Sequence, residues 1–500
     1  MTGNHLFDRL FATGPAGAAA IEAGDHAYDY GDLDRETARL ANALVARGVH
    51  PGDRVAVQVE KSPVNLLLYL ATVRAGAVYL PLNTAYTLAE LAYFIGDAEP
   101  SVIVCDPTAR DGVAALAAGA AVETLDVKGE GSLAALAASA PDVFETALRG
   151  EDDLAAVCYT SGTTGRSKGA MLTHLALASN ARTLVQLWRF TGEDVLVHAL
   201  PIYHVHGLFV ATNVVMMAGA SMVMLPKFEP AAVISTMNRA TSLMGIPTFY
   251  TRLLAHPGLT REAVAGMRLF VSGSAPLLAQ THHEWTARTG KPILERYGMT
   301  ETGMNTSNPY EGDRLAGTVG FPLPDVALRI VDEATGAAVE PGAIGVIEVK
   351  GPNVCAGYWR NPEKTAEAFR ADGYFITGDL ASMDSRGYVS IVGRGKDLII
   401  TGGLNVYPKE VEDEIDALPG VVESAVIGLP HADFGEAVTA VVVTGGAGGL
   451  TEQALLAALG LRLARFKQPK RVIFVADLPR NAMGKVQKAR LREEHRALYA

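Results

Sequence analysis

The chain reads as an α/β protein in two parts: a large N-terminal domain of parallel-rich sheets with flanking helices, and a small α+β C-terminal domain. Three observations predict this. Its 500 residues exceed what one hydrophobic core organises. Strand-like and helix-like segments alternate through residues 1–150, the pattern of βα units that build a parallel sheet covered on both faces. The glycine-rich stretch Gly393-Arg394-Gly395 precedes roughly 100 residues with strands and helices of their own, enough for a separate folding unit. The boundary falls there, giving domains of 1–395 and 396–500.

Each element follows from local pattern. Ala27–Tyr30 reads as a strand before a helix over Leu33–Arg47, and Arg54–Val59 as the next strand. Pro63–Ala75 then forms an apolar-faced helix. Ala77–Asn83, a helix over Leu88–Ala98 and a strand over Ser101–Asp106 continue the alternation. Leu154–Cys158 is a short apolar run, hence a buried strand, and Thr173 caps a helix that begins at His174. Val195–Leu200 is a strand ending at Pro201, and Leu269–Val271 another that enters a glycine turn. Beyond the boundary the expected order is helix Val411–Leu418, strands Val421–Leu429 and Val438–Val443, helix Glu452–Ala464 and strand Val472–Val475.

Composition narrows the class. Hydrophobic residues make up 49% of the chain and charged ones 19%, the balance of a globular protein. A net charge of −11 and a pI near 5.6 argue against a nucleic-acid partner. Cys105, Cys158 and Cys355 are odd in number and far apart, which suits a reducing compartment and neither a disulfide framework nor a zinc motif. The first residues lack the cationic start and apolar core of a signal peptide, and no apolar run is long enough to span a membrane. A cytoplasmic enzyme without a membrane partner is expected, either monomer or dimer.

Between the strand ending at Cys158 and the cap at Thr173 lies Tyr159-Thr160-Ser161-Gly162-Thr163-Thr164-Gly165-Arg166-Ser167-Lys168-Gly169. Its glycines let backbone N–H groups curl around an anion, its hydroxyls add donors and its two cations add charge. By composition alone this is a polyphosphate cradle or, equally, a flexible linker. It is not the P-loop, whose Gly-Lys-Ser/Thr ending is missing. The paired His204 and His206 after Pro201 suggest a metal, but with no third ligand nearby a packed pair is the plainer reading. Arg252 follows Pro247 in a helix with apolar neighbours, where a lone arginine is as often a solvated face.

The order T-S-G-T-T-G-x-x-K-G closely resembles the phosphate loop of the adenylate-forming superfamily, the acyl-CoA synthetases, luciferases and peptide-synthetase adenylation domains. The segments S-G-S-A-P-L, E-R-Y-G-M-T-E-T, I-T-G-D-L, G-R-G-K-D and N-A-M-G-K-V resemble that superfamily's further motifs in the same order. The resemblance covers essentially the whole chain and implies the adenylate-forming fold with a mobile C-terminal domain. It implies ATP, Mg²⁺ and coenzyme A as cofactors or co-substrates. Thr160, Ser161, Gly162, Thr163, Thr164, Gly165 and Lys168 would hold phosphates. Ser274, Ala275, Glu295, Arg296, Tyr297, Gly298, Met299 and Thr300 would surround the nucleotide. Thr160 and Glu301 would hold the metal, while Asp379 and Arg394 would meet the ribose. Lys396, Gly402 and Gly403 match the hinge, and Lys485 the adenylation lysine, which by its loop setting is also a candidate for acylation.

P-I-Y-H-V-H-G-L-F, I-P-T-F-Y-T-R-L-L and Y-G-M-T-E-T-G-M-N-T-S-N-P further resemble the malonyl-CoA and methylmalonyl-CoA synthetases. That implies a small dicarboxylic acid, with Arg252 on its distal carboxylate assisted by Ser274 and by His204, which also counts with Lys485, Glu301 and Thr160 among the catalytic residues. Val205 and Met304 would line the α-carbon side. Val205 replaces a Thr of those synthetases, and His283 an Arg that would meet the distal carboxylate. A short-chain or aryl acid CoA ligase and a non-catalytic nucleotide-binding module are the alternatives.

Overall fold

The structure is a computed structural model that describes residues 3–160, 167–402, 404–445, 450–481 and 484–499. Four sheets carry the chain. The first runs Ala121–Thr124, Val102–Cys105, Arg54–Gln58, Val78–Pro81, Leu154–Thr160 and Lys168–Thr173 in spatial order. Its pairings are parallel except the last, where Leu154–Thr160 and Lys168–Thr173 form an antiparallel hairpin. The second sheet has nine strands and a parallel centre of Ser221–Met224, Val195–His198, Ser242–Gly245, Leu269–Ser272 and Leu294–Met299. The third is antiparallel and four-stranded, from Ala327–Val331 to Val389–Arg394. These three share one hydrophobic core. The fourth sheet, built around Gly435–Thr444 and Val421–His431, packs against two clusters drawn wholly from residues 399 onward.

Local chemistry accounts for the helices. Tyr30–Ala46 starts three residues earlier than its hydrophobic pattern suggests, because Asp29 and Asp32 form a reciprocal capping box. Pro63–Arg74 is buried on every face between the first two sheets, with Leu66, Leu68 and Leu70 fully inaccessible. Thr173 caps His174–Leu187 by accepting the Ala176 amide at 3.0 Å.

Some expectations need correction. His26–Asp29 does not lead the parallel sheet: it hairpins onto Ala19–Ala23 at the edge of the second sheet. Lys168–Thr173 is a strand rather than the tail of a loop. The helices expected at 411–418 and 452–464 lie at Pro408–Asp416, set by Pro408 at the first turn, and Glu452–Gly460.

The arrangement matters for function because the carboxyl ends of both large sheets meet. Pro81 and Tyr159 from the first sheet and Tyr203, His204 and Val205 after strand Val195–His198 of the second line one cavity, with Thr300 between them. Ligands of α/β sheets bind at such strand ends.

Candidate active site

Thr160 ends its strand opposite Lys168, so the two described ends of the phosphate-loop motif are paired in the first sheet. Ser161, Gly162, Thr163, Thr164 and Gly165 lie outside the described residues, but both flanks are placed. Thr300-Glu301-Thr302 forms the turn between strands Leu294–Met299 and Gly303–Ser307. Gly298 is required there, since a Cβ would lie 2.0 Å from the Gly303 carbonyl oxygen. Glu301 is buried at 6% exposure. The Thr160 hydroxyl donates to Glu301 Oε1 at 3.4 Å, and the Tyr358 hydroxyl donates to the same oxygen at 3.1 Å. Lys168 Nζ sits 4.0 Å from the centre of the Tyr358 ring.

A second corner gathers Tyr297, Asp379 and Arg394. Tyr297 donates to Asp379 Oδ2 at 2.6 Å, and Arg394 Nε lies 3.0 Å from Oδ1. Asp379 and Arg394 face each other across adjacent strands. The Asp379 charge raises the Arg394 pKa further. Glu295 is buried beneath, its carboxyl pushed up to about 8 by burial although the Gly317 amide donates to it. Met299 and Thr300 are half-buried at the strand end.

The third corner holds cations and few acids. His206 is buried, and its Nδ1 lies 3.2 Å from the Ser274 hydroxyl. Ser274 adopts φ +71°, a left-handed conformation that costs a non-glycine residue and clusters at functional sites; Ala275 follows it half-buried. Arg296 is only 3% exposed and lies against Gly273, where a Cβ would come within 2.4 Å of Cζ. Its Nε and Nη2 have no hydrogen-bond partner among the described residues, and neither has His206 Nε2. Burial pulls the Arg296 pKa down to about 9 and that of His204 to about 4, the latter also through Lys485. Val205 borders the shared cavity and a second, mostly apolar one lined by Leu177, Phe209 and Asn180. Met304 is buried nearby, its backbone clasped by the Asn180 side chain at 2.9 and 3.1 Å.

Two expected substrate residues differ in setting. Arg252 is exposed on helix Pro247–Ala255 and makes no ion pair among the described residues, so it is not the buried cation its apolar neighbours suggested. His283 is exposed too, meeting only the edge of His282, because the helix Ala279–Thr289 turns His282 inward instead.

From the C-terminal sheet, Lys485 enters on a tight hairpin closed by a bridge between Arg480 and Val486. Gly484, at φ +72°, lets this hairpin touch the large domain: a Cβ there would stand 3.2 Å from Ile246 Cδ1 and Thr248 Oγ1. Lys485 is open to solvent at its flank, yet protein crowds its ammonium. Burial and then Arg394 lower its pKa, opposed by Asp379 and Glu301. Lys396 lies in the short helical turn Gly395–Asp397, and Asp397 pairs with Arg492 at 2.9 Å. Gly402 turns at φ +58°, while Gly403 lies outside the described residues. In the same C-terminal part, Arg462, Lys467 and Arg471 are paired with Glu414, Glu410 and Glu452.

Phosphate hairpin, carboxylate turn, aspartate corner and lysine hairpin thus converge on one cleft. The family model described as AMP-binding enzyme matches residues 7–359, and that of the AMP-binding enzyme C-terminal domain matches 410–485. The chain is an AMP-binding enzyme. This AMP-binding enzyme is similar over 100% of both chains to ATP-bound MatB from Rhodopseudomonas palustris, at 63% identity and a TM-score of 0.98. Against the apo form of that protein the TM-score is 0.87. It is 39% identical to a feruloyl-CoA synthase of Amycolatopsis, covering 95% of each chain. It is 34% identical to the malonate–CoA ligase of Arabidopsis thaliana, over 95% of this chain and 86% of that one. No described helix of the AMP-binding enzyme is long and apolar enough to cross a membrane.

Sequence reasoning missed Tyr358. Its signal was present in Gly357-Tyr358-Trp359-Arg360-Asn361-Pro362, a glycine–aromatic pair before a proline-started helix.

Proposed function

We propose that the chain joins malonate, or its α-methyl derivative, to coenzyme A through an acyl-adenylate. The observation that carries the substrate is Arg296: a buried guanidinium that, among the described residues, has no acidic partner and two unpaired N–H groups, lying against Gly273 next to Ser274 and near His206. A buried charge is unfavourable unless paired, and an Nε/Nη fork matches a carboxylate bidentately. The distal carboxylate of a small diacid supplies that partner, which moves this role from Arg252 to Arg296. The similarity to MatB and to a malonate–CoA ligase supports the reading. The feruloyl-CoA synthase, at higher identity than the latter, favours an aryl acid as the second reading.

The chemistry runs in two halves. One carboxylate oxygen of the acid attacks the α-phosphorus of ATP, the bond to the β-phosphate breaks, and pyrophosphate leaves. The thiol of coenzyme A then attacks the acyl carbon, and AMP leaves. The first half concentrates negative charge, which Lys485 and Lys168 offset in a partly desolvated cleft. Asp379 would accept the ribose hydroxyls, and Ser274–Ala275 and Tyr297–Met299 would border the base. Thr160 and Glu301, whose Oγ1 and Oε1 meet at 3.4 Å, set a hydroxyl beside a carboxylate whose other oxygen can fit Mg²⁺, which takes one or two protein oxygens and completes its shell with phosphate. Held by Thr160 and Glu301, the metal would neutralise phosphate charge. Lys485 on its hairpin tip is the group whose acylation would remove the adenylating charge.

The test is AMP formation dependent on coenzyme A across malonate, methylmalonate, succinate, acetate, butyrate and ferulate, for wild type, Arg296→Lys and Arg252→Ala. Leaving a buried charge unpaired costs about 2–5 kcal/mol. Malonate is therefore expected to exceed the monoacids by at least about 30-fold. Arg296→Lys should erase that preference and Arg252→Ala keep it. Ferulate turned over best by the wild type would overturn the diacid reading in favour of the aryl one.

A further inference from the structure

We infer that Tyr358 is a positioning residue that couples the divalent-cation site to the phosphate hairpin. The inference rests on the reading above, in which Glu301 holds the cation and Lys168 the phosphates.

Among the described residues, both hydrogen bonds to the Glu301 carboxylate fall on Oε1, from Thr160 and from Tyr358. Oε2 is left for a cation, and the rotation of the carboxylate is fixed by the hydroxyl that pins its other oxygen. The face of the same ring carries the Lys168 ammonium at 4.0 Å, a cation–π contact that keeps this side chain at the mouth of the loop. One 5%-exposed side chain therefore touches both charges from two sides.

Tyr358 has little freedom to be elsewhere. The Ala356 and Trp359 amides donate to the Met171 and Gly169 carbonyls at 2.9 and 2.7 Å, and the Met171 amide donates to the Gly357 carbonyl at 2.9 Å. Residues 356–359 thereby run along the outer edge of strand Lys168–Thr173, bridging Ala170 to Tyr358. The Trp359 indole donates to the Asp97 carbonyl at 3.1 Å, and the Thr365 hydroxyl accepts the Tyr358 amide at 2.9 Å. The Cys355 amide donates to the Glu301 carbonyl at 2.7 Å, tying the same segment to the carboxylate turn.

The experiment separates the two edges of the ring. Mn²⁺ binding is measured by EPR on the full chain with α,β-methylene-ATP, and nucleotide binding without metal is measured calorimetrically in EDTA. Tyr358→Phe keeps the ring and loses the hydroxyl. It should bind Mn²⁺ roughly tenfold more weakly, the lower end for a hydrogen bond to a charged group, with metal-free nucleotide affinity unchanged. Tyr358→Leu should weaken metal-free nucleotide binding as well, by about three- to fivefold. Tyr358→Phe alone decides the case if the leucine variant does not fold. Unchanged Mn²⁺ binding, or equal loss in both measurements, overturns the inference and leaves Tyr358 a packing residue. A Glu301→Gln enzyme that binds Mn²⁺ as tightly as wild type would instead sink the underlying reading.

Discussion

Glu301 and Asp379 reach the cleft with partners already on them, Thr160 and Tyr358 for one, Tyr297 and Arg394 for the other. Lys485 reaches it from the opposite side on a hairpin that is held mainly by its own backbone and meets the large domain at Gly484. The carboxylates are organised before any ligand arrives. The lysine instead comes from the C-terminal part, whose hairpin touches the large domain at Ile246 and Thr248. The proposed two-step ligation would use that asymmetry, because a cation that favours loss of pyrophosphate has no task when the thiol attacks.

The comparison can be broken most forcefully at the lysine. Lys485→Gln should slow pyrophosphate exchange into ATP by about 10²- to 10³-fold, the scale for removing one preorganised charge from a transition state. Thioester formation from a preformed acyl-adenylate should stay within a few-fold of wild type. Equal loss in both halves would mean that Lys485 also shapes the large-domain side.

A smaller effect is expected at the contact itself. Gly484→Val places a branched side chain against Ile246 and Thr248 and strains a residue at φ +72°. Exchange should fall about tenfold while the second half-reaction is spared. A variant with normal exchange would show that docking tolerates a shifted hairpin.

The least effect sharpens the description of the large domain. Glu295 rises from 4.5 to about 8 on burial, so the folded state holds its proton where the unfolded chain has lost it. That contribution is full below the unfolded pKa and fades as pH rises toward 8. Glu295→Gln removes the titration, so its melting temperature should depend less on pH between 5 and 8 than that of wild type. Parallel curves would place the proton elsewhere.

Much of this was legible because the family motifs are contiguous in sequence. Tyr297, Thr300 and Glu301 fall within five residues, and a strand running into a turn fixes their relative placement. What escaped depends on contacts between distant segments. Tyr358 earns its place only where its segment lies along strand Lys168–Thr173, itself mistaken for loop because glycine and hydroxyl residues dominate the approach to it. The setting of Arg252 was misjudged for a related reason. Apolar neighbours in a helix made Arg252 look enclosed, but enclosure comes from packing on Gly273, a strand away from Arg296.

The hydrogen bonds that knit the cleft also join remote parts of the chain: Thr160 to Glu301 across 141 residues, Tyr297 to Asp379 across 82, Tyr358 to Glu301 across 57. Contacts of such long sequence separation form slowly, since loop closure must be met before they are made. A nascent chain that has completed its first sheet holds Thr160 and Lys168 but neither Glu301 nor Tyr358. Nucleotide binding should therefore be among the last properties to return on refolding, and ATP should act on the finished enzyme as a stabiliser rather than as a template for its folding.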